Sequence, residues 1–337
     1  MYYLFIKNNL MKKFHYTFCK STNKNKVKKF ISDNWKKNHI LAENDILFDW
    51  QYINEDGNYN FVLAIEESEI IGLLGFIPPN KYSKQKNTSK DYWLVLWTIK
   101  EGTTYPGLGI GMISYLKSKC NIDNIYTVGL SNIAVQIYKS LKYNVSYLKH
   151  YVLINSQLKD AKIINLSSDL YIRNKSFIKS DCSFTEVYNN EILNDDIINS
   201  NNLFKKNTYK DKDYLINKYI KHPFYKYRFF LIKLERLECI VVIRMVKALN
   251  SSALRIVECF GNCELVSKIG TEFDKILIKE NHEYLDFVQR GVDEQIFQQS
   301  GFIDVEDQKG LIVPNYFEPF NPSNKKIYFA YKNFNGL

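Results

Sequence analysis

The chain has 337 residues and a mass of 39.8 kDa, with 45% hydrophobic and 24% charged residues. This length and apolar content exclude a disordered protein, and at roughly 100 to 200 residues per domain they predict two compact domains. The formal net charge of +10 comes from basic residues that are scattered without forming a stripe, so we do not expect a nucleic-acid partner.

The apolar runs and the N-terminal residues indicate where in the cell the protein is expected. Residues 70–77 and 92–97 are among the longest apolar runs, far short of the roughly 18 to 20 residues that cross a bilayer. The first residues lack the small-residue cleavage site of a secretory signal. We therefore expect a cytoplasmic protein without a membrane span, in which Met11 is an alternative start to Met1.

The six cysteines are spread through the sequence without any Cys-x-x-Cys pair. This pattern favours buried reduced thiols over a disulfide framework or a zinc site, so we expect no metal. They are Cys19, Cys120, Cys182, Cys239, Cys259 and Cys263.

Strand-like and helix-like segments alternate along the first half. A period of about 3.6 in the apolar residues predicts helices, and β-branched or aromatic runs bounded by turns predict strands. The predicted strands are 14–18, 61–65, 70–77, 92–99, 125–130 and 146–154, and the predicted helices are 24–35, a segment ending near 120, and 133–141.

The same order of elements returns in the second half, which predicts a domain duplication. A polar stretch, 155–206, connects the halves and carries a strand-like run at 184–188. We expect a first domain at 12–154, this linker, and a second domain at 207–334. The later predicted strands are 229–234, 239–246, 254–260, 284–288 and 327–331, and the helices are a segment ending at 220, 264–279 and 293–299.

Glycines at 107, 109 and 111 stand between a predicted strand and a predicted helix. Such a loop turns backbone N–H groups toward one concavity at the positive end of the helix, where a phosphate can bind. The other interpretation is a tight strand-to-helix turn whose glycines only satisfy a positive φ or permit close packing. Several antiparallel-type strands precede the loop and no Gly-Lys-Ser/Thr occurs, which excludes the Rossmann fingerprint and the P-loop.

Two segments resemble signatures of the GNAT superfamily of N-acetyltransferases. Residues 106–111, Pro-Gly-Leu-Gly-Ile-Gly, resemble its pyrophosphate loop, with Pro106 in place of Arg or Gln, so that backbone amides carry more of the binding. Residues 131–143 resemble its second signature, with Ala134 and Tyr138 in register. The resemblance covers residues 12–154.

This resemblance implies an α/β protein of two tandem GNAT-like domains, each a mixed, mostly antiparallel sheet flanked by helices. It implies acetyl-CoA or another acyl-CoA as cofactor. In the second half, residues 297–302 resemble the end of the second signature, but Glu264 stands where the pyrophosphate would lie, so one acyl-CoA site per chain is expected. The implied cofactor-binding residues are Trp97, Thr98, Ile99, Gly107, Leu108, Gly109, Ile110, Gly111, Met112, Ser131 and Ala134.

Acyl transfer from a thioester needs a deprotonated amine, a polarised carbonyl and a proton for the leaving thiolate. By resemblance, Tyr138 is the proton donor, its other interpretation being a packing residue, and a backbone N–H within 93–99 polarises the carbonyl. The candidates for the base are His39, Asp49 and His150, each of which is otherwise a hydrogen-bonded structural group, and a water chain is the remaining alternative.

Aromatic residues are the candidates for the acceptor site. Trp50, Trp93 and Trp97 are expected to form a wall for a sugar, although core packing competes, and the even spacing of Trp93 and Trp97 places them on one strand face. His222 and Tyr225 are candidates for contacting an anionic acceptor, the alternative being an ordinary loop.

The expected activity is N-acylation of a small-molecule acceptor. Residues 35–40, 47–51, 75–78 and 150–151 resemble tandem acetyltransferase-like proteins that accompany bacterial surface-polysaccharide genes. That resemblance implies an amino sugar or nucleotide-linked sugar as acceptor. The alternatives are aminoacyl transfer from a charged tRNA and a non-catalytic binding module.

Overall fold

The computed structural model describes residues 14–83, 90–166, 181–189, 192, 210–293, 297, 300–318 and 320–334. These residues gather into two compact units. The first comprises 14–81, 90–145 and 329–334, and the second comprises 82–83 and the described residues of 146–328. None of the helices in this described part is both long and apolar enough to span a membrane.

Sixteen strands and seven α-helices are found in these residues. The strands are β1 (Phe14–Cys19), β2 (Tyr59–Glu66), β3 (Glu69–Ile77), β4 (Asp91–Ile99), β5 (Asn124–Val128), β6 (Asn144–Tyr147), β7 (Lys149–Ile154), β8 (Ser183–Val187), β9 (Tyr227–Leu234), β10 (Leu237–Ala248), β11 (Ser251–Gly261), β12 (Tyr284–Gln289), β13 (Ile303–Asp304), β14 (Tyr316–Phe317), β15 (Phe320–Asn321) and β16 (Tyr328–Asn333). The helices are α1 (Lys24–Asn34), α2 (Ile40–Glu43), α3 (Asp45–Tyr52), α4 (Leu108–Lys119), α5 (Asn132–Ser140), α6 (Lys212–Leu215) and α7 (Gly270–Glu280).

The sheet of the first unit has the order β1-β2-β3-β4-β5-β16-β6. Neighbours are antiparallel from β1 to β4, and β4 and β5 are parallel. Helices α4 and α5 cover a core on one face, and α1, α2 and α3 cover a core on the other. Strands β2 and β3 are buried on both faces, which explains their nearly continuous apolar sequences.

The sheet of the second unit has the order β8-β9-β10-β11-β12-β7-β13. Strands β8 to β11 are antiparallel neighbours, and β11 and β12 are parallel. Its order therefore repeats that of the first sheet strand by strand. Two mixed, mostly antiparallel sheets flanked by helices confirm the predicted fold class.

The assignment of strands to the two sheets differs from the sequence-based expectation. The strand predicted at 146–154 is two strands, since β6 joins the first sheet and β7 the second. The last strand, β16, lies in the first sheet between β5 and β6. Periodicity finds an apolar strand but carries no information about which sheet it joins.

Other differences are local. The helix predicted at 264–279 is a 3₁₀ turn, Cys263–Lys268, followed by α7. Helices α2 and α3 were not predicted, because each is only one or two turns long. The alternative starts Met1 and Met11, and most of the helix predicted at 293–299, lie outside the described residues.

Candidate functional site

Strands β4 and β5 diverge near the middle of the first sheet. Residues 91–94 pair with 124–127, whereas β4 continues to Ile99 paired with β3. Among the described residues, none of β5 pairs with β4 beyond Leu94. Backbone groups on one edge of β4 are therefore available to a ligand at the point where the parallel ladder ends.

A β-bulge stands at this point. Phe76 of β3 pairs with Leu94 and Gly75 pairs with Leu96, so Val95 is the extra residue on β4. Leu94 packs into the core under α4 and α5, and Leu96 packs into the core on the opposite face. The bulge thus reverses the alternation of side chains along the strand.

This reversal corrects the expectation that Trp93 and Trp97 share a face. Trp97 packs with the core under α4 and α5. Trp93, adjacent to Leu94, stacks on Tyr126 of β5 with ring centroids 5.1 Å apart. The two indoles therefore lie on opposite faces and do not form one wall.

Helix α4 begins at the glycine loop. Gly107 is its N-cap and has φ +75°, a conformation in which glycine is the least strained residue. The Gly111 N–H donates to the Gly107 carbonyl at 2.8 Å, so the Gly109 and Ile110 amides precede this first intrahelical bond. No acidic residue lies in the first turn. This helix end is therefore electrostatically suited to an anion.

The other two glycines also serve close packing. A Cβ at Gly109 would lie 2.7 Å from Cζ2 of Trp97. A Cβ at Gly111 would lie 2.0 Å from the hydroxyl oxygen of Tyr16, which donates to the Leu108 carbonyl at 3.0 Å. The positive φ of Gly107 and the close packing at Gly109 and Gly111 are what the strand-to-helix-turn interpretation predicts, whereas the phosphate-binding interpretation is supported by the uncapped helix end without acidic residues.

Tyr138 lies beneath the divergence. Its side chain is 1% exposed, and its ring contacts Trp97 and Tyr143 edge to face at 5.6 and 4.9 Å. Its hydroxyl is hydrogen-bonded to Thr127, the last residue of β5 that pairs with β4. Burial raises the pKa of Tyr138, so it is a neutral proton donor at pH 7.

Exposed aliphatic side chains come from the elements that border the divergence. They are Val95 and Ile99 of β4, Ile110 of α4, Val128 of β5 and Ile133 of α5, with exposed fractions from 36% to 76%.

The remaining predicted cofactor residues have identifiable partners. The Thr98 hydroxyl donates to the Asn34 carbonyl at 3.1 Å, and the Ser131 hydroxyl caps α5 by accepting from the Ala134 N–H at 3.2 Å. Leu108 and Met112 are buried core residues. The positions of all four residues help to build the site, and the side chains of Leu108 and Met112 are enclosed in the core.

Two candidate bases lie in the helices on the other face of the first sheet. The Nδ1 atom of His39 accepts from the Leu41 N–H at 3.2 Å and caps α2. Asp49 accepts from the Tyr59 hydroxyl and pairs with Lys24, both at 2.8 Å. These contacts indicate structural roles.

The third candidate base, His150, lies on β7 in the second unit. Its Nε2 atom is 3.0 Å from Oδ2 of the fully buried Asp286, which also binds the Arg255 guanidinium at 2.6 Å. Despite its burial, the pKa of Asp286 is lowered to about 2 by Arg255 and His150. His150 is therefore part of a buried ionic network in the sheet that lacks the glycine loop.

The predicted acceptor residues do not share one unit. Trp50 and Trp93 are half-buried in the first unit, where Trp50 packs against the core under α1 to α3. His222 and Tyr225 belong to the second unit. The His222 Nδ1 atom accepts from the amides of Phe224 and Tyr225 at 3.1 and 2.9 Å, and Tyr225 hydrogen-bonds Glu318.

The second unit has no counterpart of the glycine loop at the corresponding position. Between β11 and α7 lies the 3₁₀ turn Cys263–Lys268, with Glu264 in its first turn. The Glu264 N–H donates to the side chain of Asn262 at 3.2 Å. An acidic first turn with a capped amide disfavours a pyrophosphate.

Sequence reasoning missed Val95 and Thr127. A bulge has no sequence signal apart from its sheet partner, and Thr127 reads as an ordinary strand residue.

Similar architectures occur among solved structures. A GCN5-related N-acetyltransferase from Anabaena variabilis has a TM-score of 0.56 at 10% identity, over 94% of this chain and 72% of that one. One from Kribbella flavida has a TM-score of 0.54 at 9% identity, over 95% and 71%. A candidate acetyltransferase from Pyrococcus horikoshii has a TM-score of 0.51 at 10% identity, over 97% and 92%. No family model and no curated protein matches the sequence. The chain thus has the fold of GCN5-related N-acetyltransferases.

Proposed function

We propose that the protein is an acyl-CoA-dependent N-acyltransferase whose single cofactor site lies in the first unit. The observation that carries the proposal is the conjunction, in one unit, of the Gly107-capped start of α4 with the divergence of β4 and β5. A phosphate site and an open strand edge are what a pantetheine-linked pyrophosphate requires.

Two features of the site fit such a cofactor. The Nε1 atom of Trp97 is buried and has no hydrogen-bond acceptor among the described residues. The same indole packs against Gly109 in the first turn of α4, where a Cβ would come within 3.0 Å of Nε1. An unpaired buried donor is costly, so a ligand oxygen at this place would stabilise it.

In the proposed mechanism the protein positions the cofactor and polarises its thioester carbonyl. The Gly109 and Ile110 amides bind the pyrophosphate, and a backbone N–H on the open edge of β4 donates to the thioester carbonyl. The Tyr138 hydroxyl gives its proton to the departing sulfur and is reprotonated through Thr127 or solvent. Acyl-CoA, when bound, supplies the activated acyl group.

We propose a water chain, and not a side chain, as the path for the acceptor's proton. Within the first unit, His39 is occupied as a helix cap and Asp49 is paired with Lys24. We therefore assign no side chain as the base.

For the acceptor we propose an amino sugar or nucleotide-linked sugar used in surface polysaccharide synthesis, in the cytoplasm. The support is the resemblance of the sequence to proteins of that kind, together with the half-buried indoles of Trp50 and Trp93. Aminoacyl transfer from tRNA does not require the glycine loop, which makes it the weaker candidate.

Calorimetry of the full chain with acetyl-CoA tests the cofactor. We expect saturable binding at one equivalent per chain, because the second unit has Glu264 where the first has a neutral helix start. No binding would contradict an acyl-CoA enzyme, and two equivalents would contradict the assignment to the first unit. Release of free thiol from acetyl-CoA, measured across a panel of amino sugars and nucleotide-linked amino sugars, then tests the acceptor.

A further inference from the structure

Three cysteine side chains of the second unit meet at the end of the β10–β11 hairpin. Cys239 lies on β10, Cys259 on β11, and Cys263 begins the 3₁₀ turn that follows. Their sulfur atoms all lie within 4.8 Å of one another, and those of Cys239 and Cys259 are 3.2 Å apart. Cys239, Cys259 and Cys263 form no disulfide, and they are the only cysteines gathered in this way among the described residues.

The backbone explains why they meet. Cys239 pairs with Gly261, and Cys259 pairs with Val241, so Cys239 and Cys259 are diagonal neighbours on one face of the hairpin. Gly261 has φ +86°, which turns the chain as it leaves β11. This turn brings Cys263 back toward the two strand residues. Cys239 and Cys259 are buried, and Cys263 is half-buried, so one side of the group is open to small ligands.

Charged groups of both signs lie near the three cysteines. Glu258 accepts from the Cys259 N–H at 3.2 Å and pairs with Lys210 at 3.0 Å. The positive charge of Lys218 also helps to lower the pKa of Glu258. Burial lowers the pKa of Lys218 only to about 8, so this side chain is largely cationic at pH 7. Lys210 and Lys218 thus place positive charge beside Glu258, the residue that precedes Cys259.

We propose that the thiolates of Cys239, Cys259 and Cys263 bind one Zn²⁺ ion, with a water molecule or other exogenous ligand in the fourth position. Tetrahedral zinc with Zn–S bonds of about 2.3 Å places the sulfurs about 3.8 Å apart, within the range that these three span after a small widening of the closest pair. Binding releases the thiol protons to solvent. Zinc with three thiolates has one net negative charge, which the nearby Lys210 cation would stabilise.

Such an ion would tie both strands of the hairpin to the segment that leads into α7. This is the place that corresponds to the glycine loop of the first unit, so a thiolate site stands where the other unit has its proposed phosphate site. Zinc binding is expected to stabilise the second unit alone against unfolding, since all three ligands belong to this unit.

Titration of the reduced, chelator-treated full chain with Co²⁺ and then Zn²⁺ tests the site. We expect sulfur-to-cobalt charge-transfer absorption that saturates at one equivalent and disappears on addition of Zn²⁺. Cys263→Ser should abolish this absorption, whereas Cys120→Ser, at a half-buried cysteine of the first unit, should leave it unchanged. Far-UV circular dichroism verifies that both variants are folded.

A second measurement needs no variant. Zn²⁺ should slow alkylation of Cys263 in the wild-type chain at least tenfold, while that of Cys120 stays the same, as read by mass spectrometry of the peptides. The proposal is overturned if the reduced chain binds no Co²⁺, if binding occurs without sulfur-to-cobalt bands, if Cys263→Ser retains them, or if zinc leaves the alkylation of Cys263 unchanged.

Discussion

The indole of Trp97 lies so close to Gly109 that a Cβ at position 109 would come within 2.7 Å of its Cζ2 atom. This contact connects the first turn of α4 to the part of β4 that no longer pairs with β5. Trp97 also contacts the Tyr138 ring. The proposed phosphate site, the open strand edge and the proposed proton donor are thus linked through one side chain.

The electrostatics of the α4 end can be tested at Ile110, which is 38% exposed in the first turn. A carboxylate introduced at Gly111 would not test the charge alone, because any side chain at this position would clash with Tyr16. We expect Ile110→Glu to keep the fold, since acidic residues stabilise a helix start, and to weaken acetyl-CoA binding at least tenfold by repelling the pyrophosphate. Calorimetry measures the affinity.

The matched control is Ser114→Glu, an exposed position one turn further along the same helix. It adds the same charge away from the helix end and should change the affinity much less. Equal affinities for both variants and the wild type would mean that the pyrophosphate does not bind at this helix start.

Tyr138→Phe tests the proton donor. The ring contacts remain, so we expect a loss of stability of about 1 kcal/mol from the hydrogen bond to Thr127. Turnover should fall by roughly 10²-fold, the small end of the range for a general acid, because a thiolate is already a good leaving group. Steady-state kinetics with saturating acetyl-CoA measures this, with thermal unfolding as the check on folding.

Tyr143→Phe is the control for this change. Tyr143 is also buried, and its ring lies 4.9 Å from that of Tyr138. Its variant should keep full turnover. If Tyr138→Phe is as active as Tyr143→Phe, Tyr138 is a packing residue only.

His222 predicts how the stability of the second unit depends on pH. Burial, with the nearby charges of Arg244, Lys218 and Lys226, lowers its pKa to about 4. The neutral imidazole is therefore the folded form, and the unfolded chain binds the proton first as pH falls below about 6.5. The free energy of unfolding should be fully retained above pH 6.5 and fall by up to roughly 3 kcal/mol as pH approaches 4.

Urea unfolding at pH 7, 5.5 and 4.5, followed by circular dichroism, measures this dependence. The variant His222→Asn retains a side-chain acceptor for the Phe224 and Tyr225 amides without titrating. It should show a shallower loss of stability over this range. An identical slope in both proteins would show that His222 is not the titrating group.

Ala330 tests the membership of β16 in the first unit. It is fully buried in the core under α4 and α5 and pairs with Thr127. Ala330→Asp would bury an unpaired carboxylate and should destabilise this unit by several kcal/mol, roughly 3 to 5. Tyr331→Asp places the same residue at the adjacent, 38% exposed position and should cost far less.

Tryptophan fluorescence is a specific probe for this experiment. The four tryptophans, Trp35, Trp50, Trp93 and Trp97, all lie in the first unit. Ala330→Asp should therefore lower the midpoint of the fluorescence transition. An unshifted midpoint would contradict the placement of β16.

The sequence predicted most elements of the fold because their signals are local. The run 70–77 lies within β3, and the period of the apolar residues after Gly111 identified α4. Residues that depend on a distant partner were not predictable in this way. Val95 is a bulge only because Phe76 pairs with Leu94, and this bulge decides the faces of both indoles.

The candidate site shows the same division. Gly107 to Gly111 were found from their spacing, and Tyr138 from a short signature. The three cysteines were not, since Cys239 and Cys259 are twenty residues apart and meet only through the hairpin register. The partners of His39, Asp49 and His150 are likewise visible only in the folded chain.

The placement of β16 has a consequence for synthesis on the ribosome. The strands β5 and β6 that flank it emerge early, but β16 follows β6 by about 180 residues. At about 5 to 20 residues per second, the first sheet waits roughly 10 to 40 seconds for the strand that fills this gap. The strands of the second sheet, from β7 to β13, are all translated before it. The unit that is translated later can therefore complete its sheet first, and the proposed catalytic unit would be the last part of the nascent chain to become functional.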